Sequence, residues 1–373
     1  MNSKSMTAIK GGPAAQLAGD EHWWKDHYEW LNQQGYQLRP RYRPGWRPSW
    51  LGIDRLGVEY EDGQFIVRGA VLDATRASDG DVVVLKRINR LDHPYEEELT
   101  RYLSSGSLAS DPRNHCIKLL DVLHPPDELN IVIFVLPLLL PFYIPYFVTF
   151  GEAVDFIQQV LEGLKFLHDN LIAHRDCMFM NIMLDPKPLY PNLFHPTDPA
   201  RSRDWKGSSK HYSRTTHPVR YVIIDFGISR RYRPEDLPPC EPPIISADKS
   251  VPENQKGEPC NPFPTDVYLI GNLLREWFLQ VYSCLQIYVD FGFIKPLVDD
   301  MVQNDPEKRP SMDVVVSHFE EITKSLSGWK LRSRLKMRSE WGVVRFFMSV
   351  AHVVRTATYI LRRLDPIPAC SKC

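Results

Sequence analysis

The sequence predicts an α+β fold with two lobes, a small strand-rich lobe followed by a larger helical one. A change of pattern along the chain supports this division. Residues 52–137 contain short apolar runs separated by turn residues, which are typical of strands, whereas residues 138–327 place apolar residues at helical spacing. The length of 373 residues is sufficient for two lobes with an extension at each end.

The clearest element of the first lobe is a β-hairpin. Residues 71–76 and 82–86 are predicted strands, and Asp79 and Gly80 form the turn between them. A helix is expected to begin at the three glutamates 96–98. Residues 131–136 are predicted as a further buried strand.

Helices dominate the second lobe. Residues 151–170 show helical spacing of apolar side chains, and residues 265–281 are apolar almost all round, which predicts a central helix. A last helix is predicted over 312–326 with Ser311 as its N-cap. Between the first two helices lies a proline-rich insert, residues 186–220. A solvated loop is favoured there over a substrate-binding segment.

Residues 1–51 form an aromatic N-terminal extension. They contain tryptophans at positions 23, 24, 30, 46 and 50, and prolines between residues 40 and 48 argue against regular structure there. Large aromatic side chains are more often buried than exposed. The tryptophans are therefore expected to cap the core of the following lobe, with partner binding as the alternative.

The C-terminal tail, residues 328–373, carries ten Lys or Arg and two acidic residues. Arg338, Arg345 and His352 recur every seven residues, with Arg355 and Arg362 on a neighbouring face. Apolar residues lie elsewhere on the same segment, which predicts a basic amphipathic helix. Such a helix can lie on an anionic membrane surface or bind an acidic partner. A helix docked on its own domain with its charges solvated is the favoured alternative. Cys370 and Cys373 form a lone CxxC, which does not predict a metal site.

The bulk properties exclude several classes of protein. The formal net charge of −1 gives no electrostatic bias toward nucleic acid. The seven cysteines are scattered and no signal peptide is recognisable, which favours an intracellular, cytoplasmic or nuclear location with free thiols. No apolar run of about eighteen residues is present, so a transmembrane span is not predicted.

Two short motifs carry the chemistry. Residues 174–181 read His-Arg-Asp-Cys-Met-Phe-Met-Asn, and residues 225–227 read Asp-Phe-Gly after an apolar run. The first spacing places Asp176 to receive a hydroxyl proton and Asn181 to hold Mg²⁺. Asp225 would emerge from a buried strand to meet the same metal ions. Together the motifs indicate phosphoryl transfer from a metal-bound nucleotide.

The order of these features resembles a eukaryotic protein kinase over about residues 60–325. Around residues 42–46, 114–116 and 173–177 the sequence is also similar to a kinase-like family found widely in basidiomycete fungi. The resemblance implies a bilobal kinase fold. It also implies ATP and Mg²⁺ as cofactors and a protein substrate, with Ser or Thr as the expected acceptor.

The resemblance assigns a nucleotide site to the first lobe. Lys86 would contact the nucleotide phosphates and pair with Glu96, or with Glu97 or Glu98 if the register differs. Further contacts with the nucleotide are expected from Gly69, Val71, Val84, Leu136 and Leu138.

The resemblance also implies the catalytic and regulatory residues. The expected catalytic residues are Lys86, Glu96, Asp176 and Asn181, and the expected metal ligands are Asn181 and Asp225. Arg175 precedes the catalytic Asp, which suggests pairing with a phosphorylated activation segment. Ser246 and Ser250 are the candidate phosphorylation sites.

Four further positions match structural signatures of protein kinases. Residues 251–253 stand where kinases have Ala-Pro-Glu, and Arg309 matches the arginine that pairs with that Glu. Asp266 and Gly271 match the start of the central helix. Kinases of small molecules usually lack the first pair, so these positions favour a protein substrate.

Three departures from the family pattern bear on activity. Gln64 and Ile66 occupy the first two positions of the glycine-rich loop, so this loop should grip phosphate less closely. Met178 stands where serine/threonine kinases have a Lys, a loss worth on the order of 3 kcal/mol of transition-state stabilisation. The third departure is the insert, whose basic residues are Arg201, Arg203, Lys206, Lys210 and Arg214.

Three functions follow from these observations. The complete catalytic set favours an active protein kinase. The altered glycine-rich loop and Met178 favour a pseudokinase or scaffold with weak or no nucleotide turnover. A small-molecule kinase on the same fold is the third possibility, and the match at Glu253 and Arg309 counts against it.

Overall fold

The structure, a computed structural model, describes residues 13–53, 55–65, 69–243, 248–280, 288–336 and 341–369. The helices are α1 Glu21–Asp26, α2 Tyr28–Gln33, α3 Glu96–Leu103, α4 Phe150–Asp169, α5 Pro252–Lys256, α6 Pro262–Leu274, α7 Lys295–Met301, α8 Met312–Ser325, α9 Gly328–Arg332 and α10 Gly342–Leu361. The strands are β1 Tyr36–Leu38, β2 Val71–Arg76, β3 Val82–Asn89, β4 Asp121–Leu123, β5 Ile131–Pro137, β6 Leu140–Pro141, β7 Ile172–Ala173, β8 Ile182–Leu184, β9 Phe194–His195, β10 Asp198–Ser202, β11 Tyr221–Ile223 and β12 Arg230–Arg231.

These elements form two compact units. The first unit is strand-rich and consists of the described residues within Met1–Asp92, Leu119–Leu138 and Tyr190–His211. The second unit contains the longer helices and consists of the described residues within His93–Lys118, Leu139–Leu189 and Tyr212–Cys373. A strand-rich unit and a helical unit confirm the predicted α+β fold class.

A five-stranded antiparallel sheet, in the order β1-β2-β3-β5-β4, is the frame of the first unit. Its central hairpin, β2 and β3, occupies the predicted residues, and β3 continues to Asn89. Gly80 has φ +76°, which glycine adopts at little cost, so it closes the hairpin turn. The sheet also contains a strand that the sequence did not predict, β1, which pairs with β2 at the edge.

The N-terminal extension covers one face of this sheet. Trp24, Leu31 and Tyr42 are buried in one cluster with side chains of the sheet that include Leu85 and Val135. A large apolar side chain that becomes fully buried contributes about 1.5–3 kcal/mol to stability. The extension is therefore part of the core of the first unit, which confirms the structural role expected of its tryptophans.

The insert is folded, in contrast to the solvated loop that its composition favours. Strands β9 and β10 pair in a small antiparallel sheet of the first unit. His195 on β9 is buried, with Nε2 3.3 Å from Glu61 Oε1, and Arg203 Nη2 donates to Thr75 Oγ1 at 3.3 Å. Proline-rich composition failed to predict this because the stabilising contacts come from residues more than a hundred positions away.

Side-chain caps and close helix packing define the second unit. Helix α4 begins where Thr149 Oγ1 accepts the amide hydrogen of Glu152, and most of its residues are buried. Helix α6 begins at Pro262, three residues before the predicted start, and residue 281 of that prediction lies outside the described residues. A Cβ at Gly271 would lie 2.7 Å from Met301 Cβ, so only glycine lets α7 approach α6 this closely.

The predicted helix over residues 312–326 is present as α8. Ser311 occupies its N-cap position as expected, but the Ser311 side chain makes no capping hydrogen bond. The helix is therefore held by packing of its apolar face, where Met312, Val315 and Phe319 are buried.

Burial gives Asp155 on α4 an unusual titration. Burial raises the pKa of Asp155 from 3.8 to about 7, while the Gln159 amide, which donates to Oδ1 at 2.9 Å, and the charge of Arg214 lower it. Between pH 3.8 and about pH 7, this carboxyl group is protonated in the folded chain but ionised in the unfolded chain. The free energy of unfolding should therefore fall as the pH rises from about 4 through 7.

Asp155→Asn should remove this pH dependence because an amide does not ionise. Relative to the wild type, the variant should gain on the order of 3 kcal/mol in free energy of unfolding between pH 5 and pH 8. Urea unfolding at both pH values measures the difference. Asp300→Asn, on the exposed face of α7, is the matched control and should follow the wild type. Parallel pH profiles for Asp155→Asn and the wild type would contradict the assignment.

The C-terminal helix α10 docks on the second unit through few side chains. His352 and Tyr359 are its buried residues; Tyr359 Oη lies 2.7 Å from Ser213 Oγ, and the His352 ring contacts the Arg332 carbonyl at 2.9 Å. Its large apolar side chains are mostly exposed. Arg338, Cys370 and Cys373 of the predicted tail lie outside the described residues.

Neither a spanning helix nor a disulfide appears in the described residues. No helix there is both long and apolar enough to cross a bilayer. The free cysteines are Cys116, Cys177, Cys240 and Cys260. Burial raises the pKa of the Cys116 and Cys177 thiols, which disfavours their thiolate forms.

Candidate active site

The predicted nucleotide-binding residues of the first unit share one face of the sheet. Val71 lies opposite Lys86, and Val84 lies opposite Leu136. Because side chains alternate along a strand and cross-strand partners point the same way, these four side chains project from the same face. It is the face opposite to the one that the N-terminal extension covers. Leu138 follows directly after β5.

Gly69 is enclosed by the N-terminal extension. Its carbonyl accepts a hydrogen bond from Trp24 Nε1 at 2.8 Å, and a Cβ at this position would overlap the Asp20 side chain. Because Gly69 has no side chain, the Asp20 carboxylate can lie directly against it. Sequence spacing did not reveal this contact. The side-chain amide of Gln64 donates hydrogen bonds to the carbonyls of Val58 and Tyr60. Ile66 lies outside the described residues.

The predicted ion pair between Lys86 and Glu96 joins residues of different units. Lys86 is half-buried on β3, and Glu96 is buried at the first position of α3. A buried carboxylate is costly unless a positive group or hydrogen bonds compensate it. The pairing of these two residues stays a prediction.

The second unit brings Asp176 and Asn181 together. Asn181 Nδ2 donates to the backbone carbonyl of Asp176 at 2.9 Å and to its side-chain Oδ2 at 2.8 Å. Asp176 Oδ1 is buried and has no hydrogen-bond partner among the described residues. The loop of residues 174–181 therefore fixes one carboxylate oxygen of Asp176 and leaves the second able to accept a proton.

Asp266 anchors this loop from below. The fully buried carboxylate accepts the amide hydrogens of His174, at 2.7 Å to Oδ2, and of Arg175, at 2.6 Å to Oδ1. His168 Nε2 lies 3.1 Å from the same Oδ2. Arg175 has φ +70°, a conformation that is uncommon for any residue except glycine. The charge-assisted bonds to Asp266 hold the backbone in this strained form.

Asp225 meets the catalytic loop through the pairing of β8 with β11. The Ile224 amide donates to the Asn181 carbonyl at 2.9 Å, and His174 Nε2 lies 3.0 Å from the Ile224 carbonyl. Asp225 itself has φ +69°, a second strained backbone position. Such strain clusters at functional sites. The structure therefore brings Asp176, Asn181 and Asp225 together, as the two motifs predicted.

The surroundings of Asp176 shift the pKa of its carboxyl group upward. Burial raises the pKa of Asp176 above its usual value of 3.8, and the charges of Asp225 and Asp266 raise it further. His174 and the hydrogen bond from Asn181 lower it in part. A carboxylate with a raised pKa is a stronger proton acceptor than one in water.

The donor set fits Mg²⁺ bound together with a nucleotide. Asn181 uses its amide nitrogen for Asp176, which leaves its side-chain oxygen as a possible ligand beside the Asp225 carboxylate. Mg²⁺ prefers oxygen ligands and takes one or two from protein when phosphates supply the others. Within the described ranges, no group of three or more His, Cys, Asp or Glu is arranged to hold a metal.

Met178 and one of the two candidate phosphorylation sites lie in the described part of the chain. Met178 is buried, and its amide donates to the Asp176 carbonyl at 2.9 Å. Ser246 lies outside the described residues. Ser250 is exposed, and its hydroxyl donates to Asp248 Oδ1 at 2.6 Å.

The second unit also contains a buried ion pair between Arg309 and Glu253. Arg309 makes two parallel hydrogen bonds to Glu253, at 2.6 Å to Oε1 and 2.8 Å to Oε2, and Thr265 Oγ1 donates to Oε1 at 2.7 Å. Burial raises the pKa of Glu253, but Arg309 and Thr265 outweigh it and hold the pKa below 4.5. The expected partnership of these two residues is therefore present.

Comparison with known protein families identifies this arrangement. The model of the protein kinase domain matches residues 63–280, which is more than half of the chain. The chain belongs to the protein kinase family. The match spans every residue predicted for the nucleotide and metal sites, and it agrees with the two-unit α+β fold.

Three curated relatives illustrate the level of similarity. The serine/threonine-protein kinase CAK1 of Saccharomyces cerevisiae is 25% identical over 185 residues, which are 48% of this chain and 42% of that protein. The serine/threonine-protein kinase PTK2/STK2 of the same yeast is 32% identical over 130 residues, 34% of this chain and 14% of the relative. Striated muscle preferentially expressed protein kinase of Danio rerio is 28% identical over 122 residues, covering 33% and 3%. The matched region thus spans less than half the length of each relative.

Sequence reasoning identified the kinase motifs but missed two residues that support them. Asp266 was recognised as a mark of the central helix, yet its two bonds to the catalytic loop make it the anchor of that loop. Asp20 beside Gly69 was not singled out. A lone acidic residue in an extension gives no pattern, so no sequence signal could have revealed its position.

Proposed function

We propose that this chain is a protein kinase that uses ATP and Mg²⁺ and transfers the γ-phosphoryl group to a protein hydroxyl, with Ser or Thr as the acceptor. The observation that carries the proposal is the convergence of Asp176, Asn181 and Asp225 in one unit, with one carboxylate oxygen of Asp176 left unbonded. The two yeast relatives are serine/threonine-protein kinases by name, which supports the choice of acceptor.

The chemistry follows from what each residue can do. ATP with Mg²⁺, when bound, supplies the phosphoryl group and neutralises its charge. Asp176 Oδ1 orients the substrate hydroxyl and receives its proton, while Asn181 holds Oδ2 in place. Asn181 and Asp225 would provide the metal ligands. Lys86 would position the α and β phosphates, and Glu96 would hold that lysine.

Two alternatives are tested by the same assay. A pseudokinase or scaffold is favoured by Met178 and by the carboxylate of Asp20 at Gly69, since both disfavour phosphate binding. A small-molecule kinase is disfavoured by the Glu253–Arg309 pair. The protein kinase is preferred because a chain released from catalysis gains nothing from retaining the whole catalytic set.

The test measures nucleotide binding and transfer in turn. ATP with Mg²⁺ should raise the thermal midpoint of the chain, and ATP with a chelator should do so much less. Labelled γ-phosphate should then appear on Ser or Thr of generic protein substrates. If ATP stabilised the chain but no phosphate reached protein, the scaffold or the small-molecule kinase would be the function that fits. If ATP neither stabilised the chain nor served as phosphate donor, nucleotide binding itself would be contradicted.

We also infer a narrower placement of the chain. The segments at residues 42–46, 114–116 and 173–177 support membership of the kinase-like family of basidiomycete fungi. The free thiols support an intracellular location, cytoplasmic or nuclear. Fluorescent tagging of the chain in a basidiomycete host would check the location.

We propose in addition that helix α10 binds an anionic membrane surface. Val343, Phe347, Val350, Val354 and Leu361 form an apolar stripe at helical spacing, and each side chain is between 50% and 83% exposed. The stripe lies opposite the two residues that dock the helix. A contiguous apolar face of this kind marks an interaction site.

The charged residues of α10 indicate what kind of surface its apolar stripe binds. Residues 341–364 contain four arginines, Arg345, Arg355, Arg362 and Arg363, and no acidic residue. At helical spacing Arg355 and Arg362 lie beside the apolar stripe. An apolar face bordered by arginines is typical of helices that lie in the interface of anionic bilayers. An acidic protein would complement the arginines but does not require so long an apolar stripe.

Vesicle flotation tests the membrane contact. The chain should float with vesicles of phosphatidylcholine containing phosphatidylserine, and much less with phosphatidylcholine alone or at high salt. Phe347→Glu with Val350→Glu should reduce binding at least tenfold. Leu129→Glu, at a position 89% exposed in the first unit, is the matched control. No flotation, or concentration-dependent dimerisation that the double variant abolishes, would overturn the proposal.

A further inference from the structure

The first unit contains a polar cavity that the proposed function does not use. Its volume is about 240 Å³, and its lining includes Arg39, Arg43, Glu61, Asp73, Thr75 and Arg203. It lies between the edge strand β1, its neighbour β2, the segment after β1, and the insert. None of the predicted nucleotide-binding residues lines it. About eight water molecules would fill this volume, which is room for a small polar ligand.

Arg39 presents an unsatisfied donor to this cavity. Its side chain is 6% exposed, Nη1 donates to the Gln64 carbonyl at 2.9 Å, and Nε lies 3.0 Å from Asp73 Oδ1. Nη2 is buried and has no hydrogen-bond partner among the described residues. A buried guanidinium nitrogen without an acceptor is costly, so an acceptor from outside the chain would stabilise it.

Arg203 also lines this cavity and carries a second buried donor. The folded insert brings it to β2, where Nη2 donates to Thr75 Oγ1 at 3.3 Å. Its Nη1 is buried and lacks a partner among the residues that the structure describes. Two guanidinium groups from distant parts of the sequence therefore line one cavity with an unused donor each.

The charges of the lining favour an anion. Three arginines, Arg39, Arg43 and Arg203, face two carboxylates, Glu61 and Asp73. One carboxylate is already engaged, since Glu61 Oε1 lies 3.3 Å from a ring nitrogen of a buried histidine. Asp73 Oδ2 is buried without a partner in the described part of the chain. A ligand that satisfies this set needs acceptor oxygens for the arginines and a hydroxyl for Asp73.

We propose that this cavity binds a small phosphate group that carries a hydroxyl, either as hydrogen phosphate or as a short phosphate monoester. Guanidinium groups match phosphate oxygens in geometry and charge, so the oxyanion lies between Arg39 and Arg203. The hydroxyl donates to Asp73 Oδ2. Binding links the insert to β1 and β2, which makes the ligand a stabiliser of the first unit.

Calorimetric titration of the full chain tests this site. Inorganic phosphate and glycerol 3-phosphate are the probes, and they distinguish the free ion from the ester. Either should bind to the wild type, and Arg203→Met should weaken binding at least tenfold. Arg201→Met, at an exposed arginine on β10 two residues before Arg203, is the matched control and should bind as the wild type does. Glycerol alone should not bind.

A second variant guards against loss of folding. Arg43 lines the cavity but is exposed, so Arg43→Gln should leave the thermal midpoint of the ligand-free chain unchanged and still weaken phosphate binding. Absence of binding of both probes to the wild type would overturn the proposal. So would equal binding to the wild type, Arg203→Met and Arg43→Gln, since the phosphate would then occupy another site. None of these results bears on the proposed kinase activity, because the residues proposed for nucleotide binding and catalysis do not line this cavity.

Discussion

Asp176→Asn should lower the rate of phosphoryl transfer to a protein substrate by a hundredfold to ten-thousandfold. The substitution removes the proton acceptor but retains an oxygen that can accept the Asn181 hydrogen bond, so the loop should keep its shape. Incorporation of labelled phosphate under saturating ATP and Mg²⁺ measures the effect. The expected loss is in kcat, with little change in the concentration of ATP needed for half-saturation.

The control for this experiment is an Asp→Asn change without a role. Asp300→Asn on α7 alters charge and shape identically at an exposed position and should leave the rate unchanged. A thermal midpoint of Asp176→Asn close to that of the wild type would exclude misfolding as the cause. If Asp176→Asn and the wild type transferred phosphate at the same rate, the proposed kinase mechanism would be wrong.

Arg309→Met should reduce the free energy of unfolding by about 3–5 kcal/mol, because it leaves the buried carboxylate of Glu253 without its partner. Arg309 is fully buried, and it also donates from Nε to the Gln303 carbonyl at 2.8 Å. Urea unfolding at neutral pH measures the loss. Adding Glu253→Gln should restore part of it, since the two residues act as a pair.

An exposed ion pair of the same chain provides the control. Lys324 and Glu320 on α8 lie 3.5 Å apart, with side chains 75% and 53% exposed. Lys324→Met should therefore cost less than about 1 kcal/mol. Since the pKa of Glu253 is depressed, the stabilisation by Arg309 should be present above pH 4.5 and decline as the pH falls further. Equal costs for the two Met variants would contradict this account.

The elements that sequence predicted well are those whose signals are local. The hairpin of β2 and β3 follows from alternating apolar residues and a glycine turn, and α4 follows from its helical periodicity. The catalytic motifs were recognisable because phosphoryl transfer requires fixed residue types at fixed spacings. Their convergence in space then follows from the pairing of β8 with β11.

The features that sequence did not predict depend on contacts between distant segments. Strand β1 has three residues between tryptophan-rich and proline-rich segments, so its periodicity is too short to detect. The insert was expected to be solvated, yet His195 is buried and Arg203 reaches β2. For α10 the sequence predicted an amphipathic helix and left open what its apolar face meets. Periodicity predicts an apolar face, but it cannot tell whether that face meets the protein or its surroundings.

The burial of the N-terminal extension separates the folding unit from the family domain. The family match begins at residue 63, whereas Trp24, Leu31 and Tyr42 complete the core of the first unit. A shortened chain that began at residue 52 would retain every catalytic motif and still expose the apolar side of its sheet, including Leu85 and Val135. Such a chain should aggregate on expression. The autonomous domain of this kinase is thus longer at its start than homology alone would delimit it.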